Sequence, residues 1–182
     1  MEKILITGTG RCGTTFLIKL FSFLDFQTGY NRNNYRSSIS SNCNSGMERQ
    51  YHENFYILKN PTFMTDIERI VQNPTIKIKK VILPIRNLKL SAVSRVRHGK
   101  KNGGLWNATD EKSQIDFYKN ILTHYVLTST KYDIDTIYLD FDKMVNDKIY
   151  LYNKLKTILD EKNIDLDTFT RVYDEVSAIS KP

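Results

Sequence analysis

Ile4-Leu5-Ile6-Thr7-Gly8-Thr9-Gly10-Arg11-Cys12-Gly13-Thr14-Thr15-Phe16 is the stretch on which the reading of this chain turns. An apolar, β-prone run enters a glycine-rich turn and leaves as an amphipathic helix. Backbone N–H groups and a helix N-terminus then converge where an anion is held. In the loop that binds nucleoside triphosphates, G-x-x-x-x-G-K-[ST], a lysine reaches the β- and γ-phosphates and the next hydroxyl holds magnesium. Gly8 and Gly13 keep that spacing here, but Thr14 stands at the lysine position. The cation of the loop is Arg11, two positions before the second glycine, which implies a phosphate-bearing ligand other than a magnesium triphosphate. A plain glycine turn between strand and helix is the alternative that a short motif leaves open.

Outward from this loop, helices and strands alternate. A strand over Lys3 to Thr7 precedes a helix from about Thr14 to Leu24, in which Phe16, Leu17, Leu20, Phe21 and Leu24 recur at helical spacing. Between residues 31 and 46, ten of sixteen residues are Asn or Ser, so this segment reads as a mobile loop that buries little surface. Phe55 to Leu58 forms a second strand, and a helix runs from Thr62 to about Gln72. Lys80-Val81-Ile82-Leu83-Pro84-Ile85 is a continuous apolar run of the kind found in a buried parallel strand. Asn87 caps a helix through about Arg97, which the run His98 to Gly104 breaks. A helix over Asp110 to Ser129, a strand over Thr136 to Leu139, and helices over Lys148 to Glu161 and Asp167 to Ala178 complete the chain. This alternation predicts a three-layer α/β fold, a central parallel sheet flanked by helices and joined by right-handed crossovers. At 182 residues the chain is expected to form a single domain.

A second anion cradle is legible at Arg86-Asn87, where a strand ends and a helix begins, with Ser94 eight residues on. That edge of an open α/β sheet is where ligands bind. A guanidinium grips phosphate oxygens bidentately, and a hydroxyl completes the shell.

Together these segments resemble the P-loop sulfotransferases that use 3′-phosphoadenosine 5′-phosphosulfate (PAPS). That family's first motif, [KR]-S-G-T-T-[WF], is matched by Arg11-Cys12-Gly13-Thr14-Thr15-Phe16 except for cysteine in place of serine. Its second, R-[ND]-x-x-x-x-x-x-S, is matched by Arg86, Asn87 and Ser94. Tyr138 to Val145 is similar to a third, R-Y-E-D-L-V, with Asp142 in the place of its glutamate. The resemblance implies a fold like that of the P-loop nucleoside-triphosphate hydrolases and transfer of a sulfuryl group to a hydroxyl or amine by in-line displacement. It assigns Gly10, Arg11, Cys12, Gly13, Thr14 and Thr15 to the 5′-phosphosulfate, Phe16 to the vicinity of the adenine, and Arg86 with Ser94 to the 3′-phosphate. Adenosine 3′,5′-bisphosphate is the implied product, and no metal is called for.

Two departures stand out. Relatives carry a catalytic His or Glu beside a lysine at the end of the second strand, whereas Leu58-Lys59-Asn60-Pro61 offers only Lys59, expected to support the transferring group. His52 and Glu53 are the preferred proton acceptors, because they end the polar loop that would close over an acceptor. The glycine-rich R-K-G segment of the cytosolic branch has no counterpart in residues 147–182.

The remaining readings are coarser. A net charge of +7 favours anionic ligands, and Arg95 to Trp106 is the most basic stretch, with Trp106 as a stacking face. Cys12 and Cys43 form no C-x-x-C pair, which argues against a zinc site or disulfide framework. Neither a membrane-spanning run nor a signal peptide is legible, so a cytoplasmic protein acting on a small-molecule or glycan acceptor is expected, without nucleic acid or membrane partners. The competing readings are a P-loop nucleoside or nucleotide kinase, disfavoured by Thr14 and by the Arg86–Ser94 element, and a non-catalytic nucleotide-binding module.

Overall fold

Side chains alternate between two apolar layers along each strand, and that alternation organises the molecule. The computed structural model describes residues 2–40, 45–98 and 104–180. Strands β1 (Glu2–Ile6), β2 (Ile57–Lys59), β3 (Lys77–Ile85) and β4 (Thr136–Asp140) form one parallel sheet in the order β2-β1-β3-β4. Ile4, Ile6, Ile57, Ile82 and Leu139 point into one layer; Leu5, Leu58, Val81 and Leu83 point into the other. Both faces are dry, as a parallel sheet requires.

Helices cover each face. Against the first pack α1 (Thr14–Phe23), α5 (Phe141–Asn146), α6 (Lys148–Leu159) and α7 (Leu166–Ser180); against the second pack α2 (Phe63–Val71), α3 (Leu88–His98) and α4 (Glu111–Lys131). The chain moves from β1 to β2 through α1, and from β2 back past β1 to β3 through α2. Right-handed crossovers in opposite directions place their helices on opposite faces. The two directions diverge at β1, so the crevice between the carboxyl ends of β1 and β3 is a topological switch point, where open α/β sheets take their ligands.

Two expectations are refined. β3 starts three residues earlier than its apolar run, because Lys77 pairs with Glu2 at 2.6 Å and Lys79 with Glu161 at 3.0 Å, anchoring lysines that lie outside that run. The polar segment 31–46 is better anchored than its composition implies. Tyr35, in a short 3-10 turn over Tyr35–Ser38, buries its ring edge-on against Phe23 at 5.2 Å, and Ile39 bridges Gly46. Residues 41–44, Cys43 among them, lie outside the described residues. No helix among the described residues is long and apolar enough to cross a membrane.

Candidate anion-binding site

The glycine loop leaves β1 at the switch point. Thr7 prolongs the ladder through its N–H to the Ile82 carbonyl (3.1 Å), and its hydroxyl donates to the Pro61 carbonyl (3.1 Å). The chain then turns through three left-handed residues, Gly10 (φ 79°), Arg11 (φ 57°) and Gly13 (φ 86°). Gly13 is the N-cap of α1; its carbonyl accepts the Leu17 N–H at 3.2 Å, and no side chain of the described residues caps the helix. The N–H groups of the first turn, including Thr14 and Thr15, are therefore left for an anion, with the positive end of the helix dipole behind them. A Cβ at Gly13 would run into Met144 and the Phe141 ring, so glycine is required there by space as well as by φ. Cys12 is fully buried, and burial pushes its thiol above the usual range, so it packs the loop as a protonated, inert side chain.

Arg86, one residue past β3, reaches this loop. Its Nη1 donates to the Arg11 carbonyl at 3.0 Å, and its guanidinium lies 4.6 Å from the centre of the Phe141 ring. Its Nε is buried and has no hydrogen-bond partner among the described residues. Orphaned buried donors are rare, and an anion in the crevice would satisfy this one. Ser94 lies half-buried on α3, eight residues further along.

Lys59 ends β2 on the same sheet edge. It is 1 % exposed, donates to the Gly46 carbonyl at 3.0 Å and forms an ion pair with Glu48. Burial pushes its ammonium below the ordinary value, and the Glu48 carboxylate opposes that shift. Arg11 is close enough to lower it further, so Lys59 and Arg11 share one field. Glu48 is itself 43 % exposed and faces solvent at the mouth of the edge.

The chain matches no family model, and no curated protein or solved structure is significantly similar to it.

Of the residues expected at the site, Gly10, Arg11, Gly13, Thr14, Thr15, Lys59 and Arg86 gather at the carboxyl edge of the sheet. His52 and Glu53 do not. The segment after Glu48 runs back along β2, with the Arg49 N–H on the Lys59 carbonyl at 3.0 Å, toward the opposite edge. There Lys3, at the start of β1, donates to the Glu53 and Phe55 carbonyls. The Glu53 carboxylate is used locally, accepting the Gln50 N–H at 2.6 Å and pairing with Arg49 at 3.0 Å, while His52 stacks edge-on with Tyr51. Phe16 is also displaced from its expected role: it is 8 % exposed and meets Tyr173 of α7 edge-on at 5.5 Å, a core contact that offers no face to a base.

Four contributing residues were not legible beforehand. Glu48 lies in a stretch without periodicity, and only the return of the chain along β2 brings it to Lys59. Phe141 and Met144 come from the third family-like segment, which reaches the loop through its apolar side chains; Asp142 is exposed. Arg95 of α3 lies directly against Gly10. Residues 99–103 of the basic stretch lie outside the described residues.

Proposed function

We propose that the protein is a PAPS-dependent sulfotransferase with a P-loop-like nucleotide site. The observation that carries this reading is the hydrogen bond from Arg86 Nη1 to the Arg11 carbonyl, 3.0 Å long. It joins the two segments that resemble the family's cofactor motifs, 75 residues apart in sequence, at the switch point of the sheet. The uncapped start of α1 and the orphaned Arg86 Nε fit a ligand with two anionic groups.

When bound, PAPS supplies a sulfuryl group on a phosphate leaving group. The chain's part is to position and to neutralise charge. Amides of Gly13 to Thr15 and the Arg11 guanidinium hold the 5′ anionic end, where preorganised donors stabilise charge developing on the bridging oxygen. Arg86, with Ser94 further along α3, holds the 3′-phosphate. Lys59, fixed by Gly46 and Glu48, adds a buried positive charge behind the loop. Glu48 replaces His52 and Glu53 as the group that accepts the proton of the acceptor hydroxyl or amine, because it is the carboxylate paired to Lys59 at the mouth of the site.

Thermal shift with adenosine 3′,5′-bisphosphate tests the reading. At 100 times its dissociation constant, the ligand is expected to stabilise the protein by about 2.7 kcal/mol, and ATP with magnesium by less. Arg86→Ala is expected to weaken the bisphosphate more than adenosine 5′-phosphate. A preference for ATP with magnesium, or equal losses for the two nucleotides, would overturn it.

A further inference from the structure

We infer that Arg95 is a positioning residue for the anion cradle: its guanidinium, seated between Gly10, Gly104 and Trp106, holds the glycine loop in its ligand-ready shape. The inference rests on reading that loop as an anion site, and it adds a residue that neither family-like motif contains.

The contact begins at Gly10. A Cβ there would fall against the Arg95 guanidinium, 3.1 Å from Cζ and 3.4 Å from Nε, so the side chain covers the loop backbone at a left-handed residue (φ 79°). Arg95 is 9 % exposed. Its Nη1 donates to the Gly104 carbonyl at 2.7 Å, and its Cζ stands 5.4 Å from the centre of the Trp106 ring. Trp106 is fixed in turn by α4. Its N–H donates to Gln114 Oε1 at 2.6 Å, and Gln114 Nε2 returns a bond to its carbonyl at 3.2 Å. Gln114 is fully buried, and the Trp106 ring meets Phe117 edge-on at 5.2 Å. Beneath Arg95 lies the fully buried Tyr118, whose phenol burial pushes upward and the arginine charge pulls back.

A planar fork held on three sides loses little freedom when it presses on a neighbour, and its charge acts through a poorly screened interior. Two consequences follow. Gly10 and Arg11 are held where their backbone turns toward the crevice, and positive potential is added at the base of the cradle without contact with the ligand. Lysine at position 95 would keep the charge but lose the fork and the stacking; methionine would lose all three.

The test compares wild type, Arg95→Lys and Arg95→Met in two measurements. In hydrogen exchange without ligand, Arg95→Met is expected to speed the amides of residues 9–15 by about tenfold or more, with those of α7 unchanged. In calorimetric titration with inorganic pyrophosphate, Arg95→Met is expected to bind at least about tenfold more weakly and Arg95→Lys to fall between, at comparable melting temperature. Unchanged exchange at 9–15, or acceleration spread evenly over the chain, would overturn the role of Arg95. So would full retention of pyrophosphate affinity in Arg95→Met. Failure of the sulfotransferase reading looks different: wild type would bind pyrophosphate but not adenosine 3′,5′-bisphosphate, while the exchange difference at 9–15 persisted.

Discussion

At the scale of single residues, two buried lysines differ in what they face. Lys59 is buried at the sheet edge with a carboxylate partner and sits beside Arg11. Lys19, on α1, is equally buried, with Ser180 Oγ at 3.4 Å and the Tyr35 ring centre at 5.8 Å, and burial pushes it down to about 8. Below pH 8 both folded and unfolded chains carry the Lys19 proton. Above it the folded chain gives the proton up while the unfolded chain keeps it to about 10.5, so the unfolded state binds more protons and stability rises with pH across that window. Lys59, also lowered, contributes with the same sign. Denaturant midpoints measured from pH 7.5 to 10 are expected to climb in wild type and to climb less steeply in Lys19→Met. For Glu48→Gln, steady-state kinetics should show kcat down by about 10²–10⁴-fold, with bisphosphate affinity nearly unchanged. An equal loss of both would make Glu48 a binding or folding residue instead of the proton acceptor.

At the scale of elements, the start of α1 is where local and tertiary demands coincide. Gly13 must be left-handed to turn the loop into the helix, and Met144 and Phe141 of α5 fill the space that a side chain would take. Gly13→Ala is therefore expected to cost about 1–3 kcal/mol of stability and to abolish pyrophosphate binding; chemical denaturation and calorimetry check the two effects. The strand–loop–helix succession around this glycine was legible because a buried strand and an amphipathic helix have distinct periods. The first three residues of β3, Lys77, Ile78 and Lys79, were not, since two lysines flank a lone isoleucine there and only the pairing with β1 and the partners Glu2 and Glu161, distant in sequence, make them part of a sheet. Segment 48–53 was misread for a related reason. Nothing local reveals that it runs back along β2, which carries His52 and Glu53 to the end of the sheet opposite the glycine loop.

For the whole molecule, opposed crossovers at β1 bring both cradles to one edge and leave the other edge to structural bonds such as Lys3 to Glu53. Ligand protection in hydrogen exchange should follow that division. Adenosine 3′,5′-bisphosphate is expected to slow residues 8–15 and 86–95 and to leave the depression lined by Phe26, Thr28, Tyr30 and Phe55, at the amino end of β2, unaffected. Protection at the latter would move the binding site to the wrong edge. What the sequence determined by itself was the alternation of elements, the parallel sheet, and the strand-end positions of Arg11 and Arg86 that are expected to cradle anions, because hydrophobic period, glycine spacing and strand-end arginines are local signals. Only the tertiary structure decided the company these cradles keep: Glu48 on Lys59, Phe141 and Met144 beneath Gly13, Arg95 against Gly10, and Phe16 turned into the core. Each of those contacts joins residues far apart in the chain, and their proximity is set by sheet order and helix packing, which no short window of residues encodes.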